Sequence, residues 1–161
     1  MSGDQAAPRT GQVRDLYGED IEVGVDLVTG AYTLTADEIV DFASVWDPQY
    51  FHVDAGAAAE GHFGGLIASG VHTLAVYQRL AVQAHFARWN VIAGRRIRDL
   101  RFLVPVRAGD RLTGRLVVDA IDEDDRGRAV LQVRGELTNQ HGAVVMSLTM
   151  ETLILMRPAT P

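Results

Sequence analysis

The rhythm of apolar and polar positions changes twice along this chain. From Ile21 onward, IEVGVDLVTGAYTLT reads as extended, with a break at Thr29-Gly30. Thr35-Ala36-Asp37-Glu38 is a capping-box signature. Ile39, Val40, Phe42, Ala43 and Trp46 follow at helical spacing until Pro48 blocks continuation, which predicts a short helix ending near Asp47. A second helical stretch, VHTLAVYQRLAVQAHFARW (71–89), contains neither Pro nor Gly. Val71, Leu74, Ala75, Ala81, Val82, His85 and Phe86 give it an apolar surface wide enough to predict enclosure by other structure. At ~1.5 Å per residue it would be nearly 30 Å long. Beyond Asn90 the period shortens. RIRDLRFLVPVRAGDRL, RLTGRLVVDAI, RAVLQVRGELT and AVVMSLTMETLILM are strand candidates, and DEDDRG and NQHG between the last three are turn sequences. One strand, a short helix, a long helix and four antiparallel strands predict an α+β fold, with an antiparallel sheet against one long central helix.

Composition narrows the chemistry. A chain of 161 residues, 47% hydrophobic and 22% charged, is expected to form one globular domain, here 18–157 behind a loosely ordered polar segment, 1–17. A net charge of −6 argues against general nucleic-acid binding. All 15 basic residues are Arg, so no Lys is available for Schiff-base chemistry. Absence of Cys removes thiolate nucleophiles and Cys-ligated zinc. The start, MSGDQAAPRTGQ, lacks the apolar core of a signal peptide, and no apolar run approaches the ~18 residues of a membrane span. The expectation is a cytoplasmic protein with no membrane partner.

The stretch DPQYFHVD (47–54) concentrates the candidate chemistry. Asp47 and His52 flank a Pro and cannot share a helix face, but a loop can turn both toward one water and let them move its proton. A polar loop with a helix-terminal Asp is the plainer reading of those residues alone. The Gly-rich EGHFGGLIASG lacks the Lys and spacing of a phosphate loop, and Ser69-Gly70-Val71 lacks the frame of a nucleophile elbow. His52, Asp54, His62 and His72 have no short metal-ligand spacing, so no metal is expected. Asp54 reads as a cap for the Ala-rich stretch after it, His72 as a buried histidine near the helix start, and DEDDR as a solvated turn. Arg95, Arg96, Arg98 and Arg101 read equally as a solvated strand face or as phosphate contacts.

Three motifs stand in register: the Asp-x4-His pair Asp47/His52, Gly70 eighteen residues after His52 within FGGLIASGVHT, and FLVPVRAGDRL. Together they resemble the MaoC-like family, the (R)-specific enoyl-CoA hydratases and dehydratases of the hotdog superfamily, over nearly the whole chain. The resemblance implies a hotdog fold, a sheet wrapped around the central helix. It also implies a hydro-lyase acting on a 2-enoyl or 3-hydroxyacyl thioester of coenzyme A or acyl carrier protein, without metal or redox cofactor. Asp47 and His52 would be catalytic, with Asp47 as base and His52 orienting the water. Gly70 and Ser69 would serve the thioester oxygen and substrate. A homodimer or dimer of dimers is implied, with acyl carrier protein as a further partner. Tyr50 stands where many relatives have Pro, and Ser69 where many long-chain hydratases have His, so the resemblance carries no acyl preference. A hotdog thioesterase and a non-catalytic acyl-thioester-binding subunit are the competing readings.

Overall fold

The computed structural model describes residues 13–159. Of the N-terminal segment, 1–12 lie outside these. Asp15 and Leu16 are fastened to the end of the long helix, both backbone N–H groups donating to the Arg88 carbonyl at 3.1 Å.

Strand β1 (Asp26–Thr33) leads into helix α1 (Ala36–Trp46). The break at Thr29-Gly30 is a bulge within β1 and does not end it. The capping box forms. Thr35 Oγ1 accepts from the Glu38 N–H at 3.2 Å, and the Glu38 carboxylate accepts from the Thr35 N–H at 2.9 Å. Asp47 is the C-cap of α1. The stretch after it, expected as loop, contains one helical turn, α2 (Tyr50–Val53), then α3 (Ala55–Glu60), capped by Asp54 through the Ala57 N–H at 2.9 Å. Central helix α4 (Gly70–Ala81) continues as a π-helical turn, Val82–Phe86. These 17 residues span about 25 Å.

Strands β2 (Val91–Phe102), β3 (Arg111–Glu123), β4 (Arg128–Thr138) and β5 (Val144–Leu155) complete an antiparallel sheet of order β1-β3-β4-β5-β2. The fold is α+β, with the sheet packed on the central helix. Alternation decides which face is buried. Leu112, Leu116 and Val118 of β3, Leu131, Val133 and Leu137 of β4, and Met146, Leu148 and Ile154 of β5 are buried in one core with Val76, Tyr77, Leu80 and Ala81 of α4. The buried face of the central helix is in part the one hydropathy predicts: Ala81 and Phe86 are buried as expected, but Val71 is exposed, whereas Thr73 and Tyr77 are buried. Among the described residues β2 is hydrogen-bonded on one side only, to β5, and nearly all its residues are exposed. No helix among the described residues is long and apolar enough to cross a membrane.

Tyr77 is fully buried, and its hydroxyl has no hydrogen-bond partner among the described residues. It lies against Gly135, where an added Cβ would overlap the hydroxyl oxygen and ring. Both residues belong to central elements that cannot step aside. Gly135→Ala is therefore expected to destabilise the fold by about 1–3 kcal/mol, the range for overpacking. Adding Tyr77→Phe removes the colliding hydroxyl and should recover part of that loss, as read from urea midpoints of the two variants.

Candidate active site

The stretch DPQYFHVD folds back on itself because Pro48 ends α1 and the α2 turn starts at once. The His52 N–H donates to the Gln49 carbonyl at 2.9 Å, closing that turn. His52 Nε2 consequently lies 3.4 Å from Asp47 Oδ2. The His52 side chain is 5% exposed and that of Asp47 25%. The Phe51 ring meets His52 edge-on at 4.4 Å.

Two further anchors come from the Gly-rich segment. His52 Nδ1 donates to the Ile67 carbonyl at 2.7 Å. A carbonyl can only accept, so Nδ1 carries a proton and the lone pair of the neutral ring is on Nε2, facing Asp47. Two acceptors facing each other attract only when a proton, or the two O–H groups of a water, stands between them. Ser69 is fully buried. Its hydroxyl donates to Asp47 Oδ2 at 2.7 Å and accepts from the Val71 N–H at 3.2 Å, so the residue that caps α4 also holds the carboxylate. Gln49 Nε2 donates to Asp47 Oδ1 at 2.9 Å. The Ser69 hydroxyl, then the Gln49 amide and the nearby His52, hold Asp47 below the usual carboxylate range, against the opposing effect of partial burial.

Gly70 opens α4, in the turn whose N–H groups lack helical acceptors and carry the positive end of the macrodipole. His52 and Gly70 both line a cavity of about 310 Å³, with Phe63, Phe102, Val104 and Val106 among its apolar walls. Asp47 does not line it and reaches it through His52. A larger recess of about 420 Å³ is lined by Arg101, Arg115, Arg134 and Glu136 and holds the Arg115–Asp26 ion pair. It lacks His52, Asp47 and the helix N-terminus, so size does not select it.

Asp47, His52, Ser69 and Gly70 thus come together, though Ser69 turns its hydroxyl to Asp47 and not to the cavity. His72 lies apart from the cavity lining. It stacks on Phe42 at 4.3 Å, burial lowers its pKa, and Nδ1 has no partner among the described residues. His85 Nε2 is 3.0 Å from the Val28 carbonyl, far along the helix. Arg95 and Arg98 flank the buried Glu151, and Arg101 lines the larger recess. Sequence reasoning passed over Gln49, the Ile67 carbonyl and Phe102. Only Gln49, two residues from Asp47, offered a local signal.

The arrangement brings together a carboxylate–imidazole pair, the N-terminus of α4 and apolar walls. Comparison with known proteins agrees with the sequence motifs. The MaoC like domain family matches residues 21–141. The chain is similar to the uncharacterized protein YdeM of Bacillus subtilis, 33% identical over 67% of this chain and 75% of YdeM. It is 39% identical to protein MaoC of Klebsiella aerogenes over 62% of this chain, a match spanning only 30% of that protein. It is 34% identical to 3-hydroxyacyl-thioester dehydratase Z of Mycobacterium tuberculosis, over 62% of this chain and 66% of the relative.

Among solved structures, a MaoC-like dehydratase from Rhodospirillum rubrum superposes with a TM-score of 0.82 at 35% identity, covering 89% of this chain and 99% of that one. The R-hydratase PhaJ1 of Pseudomonas aeruginosa does so with a TM-score of 0.71 at 25% identity, covering 90% and 89%. A conserved Mycobacterium tuberculosis protein described as a double hotdog fold shares the fold at 18% identity and a TM-score of 0.78, over 91% of this chain and 46% of its own. The sheet wrapped on α4 is accordingly a hotdog fold, and the chain belongs to the family of MaoC-like hydratases and dehydratases.

Proposed function

We propose that the chain is a hydro-lyase that adds water to a 2-enoyl thioester or removes it from a 3-hydroxyacyl thioester. The observation that carries this reading is the meeting of Asp47, His52 and the α4 N-terminus beside one apolar cavity. In the hydration direction a water between His52 Nε2 and Asp47 Oδ2 attacks C3 of the enoyl group. The C2–C3 π electrons move toward the carbonyl, and the thioester oxygen gains negative charge opposite the Gly70 N–H. The water's proton passes to the pair, and a proton from the pair then goes to C2, so no charge is left over.

The hydrogen bonds refine the roles expected from sequence. Asp47 already accepts from Ser69 and Gln49, which reduces its proton affinity. Among the described residues no donor faces His52 Nε2, so its lone pair is free to take the water's proton. Asp47 then remains an anion beside the imidazolium, and the Ile67 carbonyl keeps Nδ1 protonated. Ser69 acts as a positioning residue. The thioester class also agrees with the name of the relative 3-hydroxyacyl-thioester dehydratase Z.

The same reading includes a homodimer. Among the described residues β2 has one free edge, and Ile92, Ile97, Leu103 and Val104 along and just beyond it are exposed apolar residues. A second copy fits this edge, because an unpaired strand is a template for another strand and a two-fold pairing of identical strands closes both edges.

Asp47→Asn should fold normally and lose about 10²–10⁴-fold in hydration rate, and Asp47→Asn/His52→Ala should be little worse, because the two act as one unit. Loss of the conjugated-thioester absorbance measures this, and a thiol-trapping dye in the same cuvette separates hydration from thioester cleavage.

Ser69→Ala removes the largest influence lowering the Asp47 pKa. Activity that requires ionised Asp47 should therefore begin to fall at a higher pH as the medium is acidified. The stability contribution of a carboxylate with a lowered folded pKa is complete above the unfolded value of ~3.9 and lost as pH falls through the folded value. Ser69→Ala should weaken that contribution, narrowing the acid range in which the fold persists. Ser69→Thr, which retains the hydroxyl, should keep the wild-type profile if the extra methyl is accommodated.

Light scattering at assay concentration should give twice the chain mass. An acidic residue in place of Ile97 should shift the protein toward monomer.

A further inference from the structure

We infer that Phe102 is the specificity-determining wall of the cavity, limiting the bulk of the acyl group held beside Gly70. The inference rests on the acyl-thioester reading above. A Cβ added at Gly70 would lie 2.6, 2.7 and 3.0 Å from Cε2, Cζ and Cδ2 of Phe102. No side-chain carbon fits there, so Gly70 admits the ring as well as exposing its own N–H. The ring and Gly70 line the same cavity as His52. A thioester whose oxygen takes the Gly70 N–H places its first acyl carbons beside whatever covers that glycine, and here Phe102 covers it.

Among the cavity's aromatic walls, Phe102 is the one free to set a size limit. Phe63 packs edge-on against Phe51 at 5.6 Å, and its carbonyl is held by Arg107 Nη2 at 2.7 Å. Phe102 has no aromatic partner among the described residues and is 52% exposed. It is the last residue of β2, and the next N–H, of Leu103, donates to the Val145 carbonyl at 2.8 Å. Its backbone is anchored while its ring reaches over Gly70. Deleting the ring opens the cavity without unfastening the strand.

The test compares wild type with Phe102→Ala and Phe102→Leu. Calorimetry measures binding of saturated butyryl-CoA and octanoyl-CoA, and hydration of the matching 2-enoyl-CoAs is followed in parallel. Wild type should favour the short chain. The octanoyl-to-butyryl affinity ratio should rise at least about tenfold in Phe102→Ala, the lower end of what one methylene is worth in a shaped pocket. Phe102→Leu should give a smaller rise. An unchanged ratio with normal hydration overturns the role of Phe102 and leaves the hydro-lyase reading intact. A shifted ratio without hydration by wild type supports Phe102 and sinks the hydro-lyase. Binding of neither acyl-CoA overturns both. A readout independent of any ligand is thermal melting. Gly70→Ala should melt lower than wild type, and Gly70→Ala/Phe102→Ala should regain most of that loss. Failure of the second change to rescue the first overturns the proposed packing.

Discussion

The hydroxyl of Ser69 is committed in two directions, and the geometry of the site depends on both. As N-cap it accepts from the Val71 N–H, which fixes where α4 begins and where the Gly70 N–H points. As donor it grips Asp47 Oδ2, which fixes the carboxylate on the end of α1. Ser69 is fully buried, so water cannot substitute for either partner. A shift of the helix end therefore carries Asp47 with it. An aliphatic residue there would leave the Asp47 carboxylate oxygen and the helix-end N–H without this partner together. The Ile67 carbonyl adds the third constraint by setting the tautomer of His52 from the same segment.

That coupling explains why the chain arrives at Ser69 through a glycine-rich segment. Between α3 and α4 it must place the Ile67 carbonyl on His52, the Ile67 N–H on the Phe51 carbonyl and the Ala68 N–H on the Val106 carbonyl. Gly64 and Gly65 have φ of +63° and +155°, the region where side chains are disfavoured. A loop of ordinary residues could not bend so sharply and still present successive backbone groups to two neighbouring segments. The segment that lacks the Lys and spacing of a phosphate loop instead supplies the acceptor for His52 Nδ1.

Features written in adjacent residues were legible from sequence. The Thr35–Glu38 box, the stop at Pro48, the Asp54 cap and the turns at 124–128 and 139–143 each depend on bonds between near neighbours. The strands were legible through alternation, and the family through three motifs in register. The helix face was less so, because hydropathy ranks Val71 above Thr73 and Tyr77. The fold instead buries the stripe His72, Thr73, Val76, Tyr77, Leu80 and exposes Val71. The Ser69–Asp47 bond joins residues 22 apart and the His52–Ile67 bond residues 15 apart, while Phe102 covers a glycine on another element. No local pattern encodes such meetings. They exist only once the sheet has closed on α4.

The two ends of the central helix are held by different means, and the difference suits a binding site at one of them. At the far end, Leu16 pairs with Trp89, Asn90 Nδ2 donates to the Leu16 carbonyl at 3.0 Å, and Asp15 forms a two-pronged ion pair with Arg88. Exposed ion pairs are individually weak. The force at that end comes mainly from Phe86 and Trp89, buried together with ring centroids 4.9 Å apart. At the near end Phe42 stacks on His72 of the first turn, while Gly70 is half-buried beneath the ring of Phe102 and borders the cavity. A plug of the far-end kind would bury the helix N-terminus and cancel its use as a donor. Holding the near end through the side chains of Ser69 and Asp47 keeps the helix in place while Gly70 still borders the cavity.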